Sequence, residues 1–128
     1  MDSNHFKKYW RPVLAWALLM LIITMTPGKE IEGISGGLGS IPQKSYVFHF
    51  AEFLIFSILL SRALHSSRQH SHSTVILMVI IASFVFSAFT EILQIFVPGR
   101  YFEYSDIMVN DAGAVVGLAR NMFMTALR

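Results

Sequence analysis

From Thr74 to Val97 the chain is apolar almost without interruption, and Glu91 is the single charge inside that run. A hydrocarbon core about 30 Å thick takes roughly 20 helical residues to cross, so the run is long enough to span a bilayer. A carboxylate at such a depth costs about 3 kcal/mol on insertion scales and therefore faces a protein interior or a water-filled cavity rather than lipid. The segment thus demands neighbours: Glu91, with Gln94 three residues on, needs other helices to turn toward.

The rest of the chain supplies them. It is 54% hydrophobic and only 14% charged, against roughly 25% charged in an average soluble domain, which reads as a membrane protein. We expect an all-α, four-helix transmembrane bundle with helices at about 10–26, 45–64, 74–97 and 105–127, forming one membrane domain over residues 1–128. Breakers separate the helices: Pro27-Gly28 and the segment Gly33 to Pro42, then Ser66 to Ser73, then Pro98-Gly99. Lys7, Lys8 and Arg11 ahead of Val13 to Met25 also have the layout of a signal peptide, but Thr24-Met25-Thr26-Pro27 lacks the small-residue cleavage pattern, so this helix is read as a retained anchor.

Several function classes are disfavoured. Cysteine is absent, which removes disulfides, thiolate nucleophiles and cysteine-ligated metals. Gly36-Gly37-Leu38-Gly39-Ser40 has no following Lys-Ser/Thr and no preceding strand, so it is no phosphate loop. No basic face with interleaved aromatics points to nucleic acid. His70 and His72 lie in a polar connection without a carboxylate or cysteine beside them, and read as a solvated loop. No cofactor and no metal site is expected from the sequence.

Lys and Arg distribution sets the orientation. Lys7, Lys8, Arg11, Arg62, Arg68, Arg120 and Arg128 fall on one side, against Lys29, Lys44 and Arg100 on the other. Both termini are therefore expected in the cytoplasm, in a multi-pass protein of the plasma membrane. At a rise of about 1.5 Å per residue, His49 and Glu52 lie roughly 6 and 10 Å below the outer start of the second helix, and Gln94 and Glu91 lie at matching depths below Pro98. Asp106 and Asn110 occupy the first turns of the fourth helix on one side. Three helices thus place polar residues at one depth of one leaflet, while the inner halves offer no evident polar path. We expect a pocket in which His49, Glu52 and Glu91 do acid-base work and Lys44, Gln94, Arg100, Asp106 and Asn110 bind substrate, with Lys44 and Arg100 gripping an anion. Buried polar residues also act as interhelical glue at roughly 1 kcal/mol per bond, so packing alone remains the competing account. Gly113 and Gly117 form a Gly-xxx-Gly pair suited to close helix approach, and offer a face for a homo-oligomer. Tyr9, Trp10 and Trp16 read as interfacial anchors.

These residues resemble the VanZ-like family of small integral membrane proteins. Its pattern is a Lys shortly before His-Phe, then Glu-x-x-Gln, an Arg, an Asp, an Asn and spaced glycines. Here the pattern reads Lys44, His49-Phe50, Glu91-Ile92-Leu93-Gln94, Arg100, Asp106, Asn110, Gly113 and Gly117, covering Lys44 to about Leu118. An Asp commonly precedes that Lys; this chain has Gln43. The family takes its name from a protein associated with resistance to the glycopeptide teicoplanin, so the resemblance implies an antibiotic-related, cell-envelope role at the outer face but supplies no reaction. The leading expectation is a site that binds, and if catalytic acts on, an anionic lipid-linked or cell-wall-derived molecule. An oligomeric transporter or proton pathway, and a non-enzymatic scaffold in the bilayer, stand as the alternatives.

Overall fold

The computed structural model describes residues 3–27, 43–67 and 70–127, excepting the side chains of residues 3, 5 and 43–45. It contains the helices α1 (Ser3–Met25), α2 (Gln43–Ser66), α3 (His72–Gln94) and α4 (Tyr104–Ala126), and no strand among the described residues. α2 and α3 each pack against every other helix, whereas α1 and α4 do not touch. The expected all-α bundle is the observed one.

The buried stripe of α3 runs Val75, Val79, Ser83, Ser87, Thr90, Glu91 and Gln94, the spacing of one helical face. That of α4 runs Asp106, Asn110, Gly113, Ala114, Gly117, Leu118 and Asn121. Meanwhile Leu14, Leu18, Ile22, Ile81, Phe84, Val85 and Phe89 are exposed. Polar groups inside and large apolar side chains outside is the arrangement expected where the surrounding solvent is lipid. α1, α2 and α3 contain segments long and apolar enough to cross a membrane: Phe6–Met25, Tyr46–Ser66 and His72–Gln94. α4, expected as a fourth span, matches them in length but not in apolarity, because Asp106, Asn110, Asp111, Arg120 and Asn121 interrupt it.

Two packing devices hold the bundle. Phe53 and Phe56 of α2 meet Phe86 of α3, with Phe56 and Phe86 stacked at 5.2 Å between ring centres. On the other side of α2, Gly113 and Gly117 press α4 against the α2 backbone: a Cβ at either would overlap the carbonyl oxygen of Phe50 or Leu54. The glycine face read as open to a second copy is therefore covered by the chain's own α2. Ser57 and Ser61 lie fully buried on α2, and their hydroxyls donate to the carbonyls of Leu54 and Ile58 at 3.0 and 3.1 Å, so that neither is left unpaired in the interior. Trp16 also makes a contact within the bundle. Its indole N–H donates to the Glu52 carbonyl at 3.0 Å and ties α1 to α2.

Helix ends differ from expectation for local reasons. α1 begins at Ser3, not Trp10, and accommodates Pro12, since the helix continues beyond the apolar stretch that alone marked it in the sequence. α3 starts earlier because Ser71 caps it, its Oγ accepting the Thr74 N–H at 3.2 Å. It ends at Gln94, not Val97: the amides of Ile95, Phe96 and Val97 bond three residues back, to Ile92, Leu93 and Gln94. Pro98 disfavours the helical conformation at the residue before it, which tightens this last turn.

Val97-Pro98-Gly99-Arg100 then reverses the chain. The Arg100 N–H donates to the Val97 carbonyl at 3.2 Å, with Pro in the second position and Gly99 at φ 76° in the third, the signature of a type II turn. The turn carries the Arg100 side chain to the end of α1, where Nε donates to the Thr26 carbonyl at 3.2 Å and Nη2 to the Ile23 carbonyl at 3.3 Å. The Ile23 carbonyl also accepts the Thr26 N–H at 3.1 Å, so the guanidinium adds to the C-terminal cap of α1, where a cation complements the helix dipole.

Two outcomes follow. Gly117→Leu should destabilise the protein by about 3 kcal/mol or more, because rigid backbone must move to admit the side chain, whereas Ala112→Leu on the exposed face of α4 should leave the melting temperature in detergent unchanged. Arg100→Ala should cost about 1–3 kcal/mol locally, seen as hydrogen exchange roughly tenfold faster in the last turn of α1 with α3 and α4 unaffected.

Candidate functional site

The polar residues of α2, α3 and α4 meet at one end of the bundle. The first turns of α2 carry His49 on the face toward α4, and its ring Nε2 lies 3.4 Å from Oδ2 of Asp106. Both side chains are largely enclosed, 12% and 7% exposed. Asp106 is in the first turn of α4, as the expected depth requires. Glu91, fully buried, arrives from the last turn of α3. One ligating atom from each of His49, Glu91 and Asp106 lies within 4.8 Å of the other two.

A shell of donors fixes these groups. Gln94 Nε2 donates to Glu91 Oε1 at 3.1 Å, the i, i+3 relation on one helical face. The backbone N–H of Glu103 approaches Glu91 Oε2 at 3.5 Å and closes the connection over α3. Asn110, fully buried, donates through Nδ2 to Ser87 Oγ at 2.9 Å and also meets the His49 side chain. Two oxygens in this cluster, Oδ1 of Asp106 and Oδ1 of Asn110, are buried without a hydrogen-bond partner. At the rim, the Tyr46 hydroxyl bonds Ser105 Oγ, which in turn donates to the Glu103 carboxylate, both at 3.3 Å.

His49, Glu91, Gln94, Asp106 and Asn110 are thus brought together, but with different relations from those expected. The partner of His49 is Asp106, assigned in the sequence to substrate binding, rather than Glu52 or Glu91. Glu52 is drawn instead toward Arg100. The Arg100 guanidinium is pulled below its ordinary value by burial, while the carboxylates of Glu52, Glu91 and Asp106 oppose that shift. Arg100 is therefore close enough to feel all three charges, yet its hydrogen bonds go to α1. Lys44 lies in the first turn of α2, and its side chain is outside the described residues. A cavity of about 140 Å³ between α3 and α4 is lined by Val79, Ser83, Phe84, Asp111 and Ala114 among others, none of them a cluster residue.

Sequence reasoning overlooked two features. Depth put His49, Glu91 and Asp106 in one pocket, but no local spacing reveals that one side-chain atom of each comes within 4.8 Å of the others. The far half of the bundle is also less apolar inside than it reads, since Ser57, Ser61 and Asn121 are buried there; their i+4 spacing on α2 and their place on the stripe of α4 were the available signal.

An imidazole held by a carboxylate can give and take a proton, and a carboxylate fixed by two N–H groups can accept from a ligand or hold a cation. Residues 4–125 match the VanZ/LLP1 family model, which covers nearly the whole chain. No curated protein and no solved structure matches it. With that match over residues 4–125 and an all-helical bundle whose helices are apolar enough to cross a membrane, the chain belongs to the VanZ/LLP1 family.

Proposed function

We propose that this membrane protein binds an anionic, lipid-linked or cell-wall-derived molecule at the end of the bundle formed by the starts of α2 and α4 and the end of α3, on the outer side of the plasma membrane. The observation that carries this reading is the convergence of His49, Glu91, Asp106 and Asn110 from three helices into one buried cluster. Interhelical glue would be served by any complementary pair; a His-Asp pair beside a second fixed carboxylate, with two unpaired buried oxygens, exceeds what packing needs. Arg100 stands next to it as the cation for a phosphate or carboxylate headgroup.

If the bound molecule is also transformed, His49 is the acid-base residue, Asp106 holds its ring, and Glu91 is the base or the cation holder. Glu52 then balances Arg100. The role of Arg100 at α1 makes Arg100→Ala a compound change, so the cleaner variants are His49→Ala and Gln94→Leu, which remove N–H groups able to donate to an anion. In bilayer discs containing a long-chain prenyl phosphate, the wild-type chain should retain the lipid by native mass spectrometry, and each variant should lose at least about tenfold in affinity, the scale of one charge-assisted contact. Equal retention by wild type and both variants would show that the cluster is not the binding site.

The orientation is tested independently, helped by the absence of cysteine. In intact cells, Tyr101→Cys should react with a membrane-impermeant thiol reagent and Ser67→Cys should not; the opposite pattern would move the site to the cytoplasmic side. A second reading, a proton or ion pathway, draws on Ser57, Ser61, Ser83, Ser87 and Asn121, which are buried beyond the cluster. It predicts a flux in liposomes that disappears in Glu91→Gln, whereas the binding reading predicts none.

A further inference from the structure

We propose that His49, Glu91 and Asp106 form a site for one divalent transition-metal ion of the zinc and manganese class, through which the phosphate or similar oxyanion of the ligand is held. The inference deepens the binding reading above and rests on it for the ligand, though not for the ion.

The geometry is the first argument. Bonds of about 2.0–2.2 Å from a metal to imidazole nitrogen and carboxylate oxygen place neighbouring donor atoms roughly 3–4 Å apart. His49 Nε2 and Asp106 Oδ2 are already 3.4 Å apart, and the full set of three fits within 4.8 Å. Small side-chain rotations complete it. The donors come from three different helices, so the fold, rather than a flexible loop, sets the spacing.

The second argument is independent of the three ligands' spacing. Asn110 is fully buried, and its amide nitrogen is committed to Ser87. Its side chain interacts with the His49 ring, yet no hydrogen bond of good geometry reaches its buried oxygen. Asp106, 5% exposed, likewise has a free Oδ1. Lone pairs sealed away from water without a donor are costly. A cation in the cluster, or water bound to it, satisfies them.

The donor chemistry selects the ion. One imidazole with two carboxylates suits zinc, manganese or iron, while calcium and magnesium prefer all-oxygen sets. Glu91 has the supporting contacts that metal carboxylates require: Gln94 Nε2 on one oxygen and the Glu103 N–H toward the other. Three protein ligands leave coordination positions open, the condition for taking an exogenous oxygen. Charge supplies the link to function. Glu91 and Asp106 would repel an anionic headgroup, and Arg100 is engaged with α1; a divalent ion reverses the local sign and lets the same residues hold an anion.

The test uses the full chain, purified in detergent and stripped with chelator. Titration with Co²⁺ followed by visible absorption, and Zn²⁺ competition, should show one ion per chain. His49→Ala and Asp106→Asn should weaken binding by at least about tenfold, and Gln94→Leu, which removes only a support of Glu91, by about tenfold. Folding is controlled by melting the chelated proteins: Asp106→Asn without metal should be at least as stable as wild type without metal, because a buried charge has been removed. No binding by wild type, or undiminished binding by both ligand variants, overturns the site. Inorganic phosphate and phosphatidate-containing bilayer discs are then offered with and without Zn²⁺. Metal-dependent retention of phosphatidate alone assigns a lipid headgroup, and retention of both assigns phosphate as such. An ion bound with neither anion retained supports the metal site and overturns the binding reading, while anion binding indifferent to chelator overturns the metal's part and preserves that reading.

Discussion

Everything at the polar end of this bundle depends on where the Glu91 carboxylate can be placed. It belongs to the most apolar helix of the chain and is fully buried, in surroundings where an unpaired charge is not tolerated. The neighbours it acquires answer that demand: Gln94 from its own helix, the Glu103 amide from the connection, and His49 and Asp106 from α2 and α4. The connection is as much a product of this requirement as of its own turn chemistry. A type II turn at Pro98-Gly99 reverses the chain in the space available, delivers Arg100 to the carbonyls at the end of α1, and returns the backbone so that Asp106 lies in the first turn of α4 beside Glu91.

The placement of α4 is the other half of the design. Its lower apolarity makes it a poor independent span, and its position comes from close approach to α2 at Gly113 and Gly117. Those glycines lie one and two turns below Asn110, so the approach that seats α4 also sets the distance between His49 and Asp106. The resemblance pattern includes the glycines of this approach, Gly113 and Gly117, and polar residues of the cluster above it, His49, Glu91, Gln94, Asp106 and Asn110. Membership of the VanZ/LLP1 family therefore has a physical counterpart in one end of one bundle.

The helices and the depth of the polar residues were legible in the sequence, because hydrophobic length and a constant rise per residue suffice for both. Helix ends were less so. Ser71 and Pro98 carried the information at α3, yet the apolar run extended past both and concealed their effect. Pairing was the part that could not be read. His49, Glu52, Glu91 and Asp106 stand at comparable depths, and only the rotation of α2 about its axis decides that His49 faces Asp106 while Glu52 turns toward Arg100. That rotation is set by Trp16 on the Glu52 carbonyl, by the Phe53, Phe56 and Phe86 rings, and by the glycine contact, all long-range and none visible in local spacing. For the same reason Arg100, which has the chemistry of an anion clamp, was not recognisable as the cap of α1.

The account's central claim is that the His49, Glu91 and Asp106 end of the bundle receives an anionic headgroup. Its most direct test is a crystal structure of the full chain grown in a lipid phase containing a long-chain prenyl phosphate. Headgroup density is predicted where the end of α3 meets the start of α4, in contact with the His49–Asp106 pair directly or through an ion. A headgroup bound elsewhere on the bundle, with the cluster closed as a hydrogen-bonded core, would contradict it.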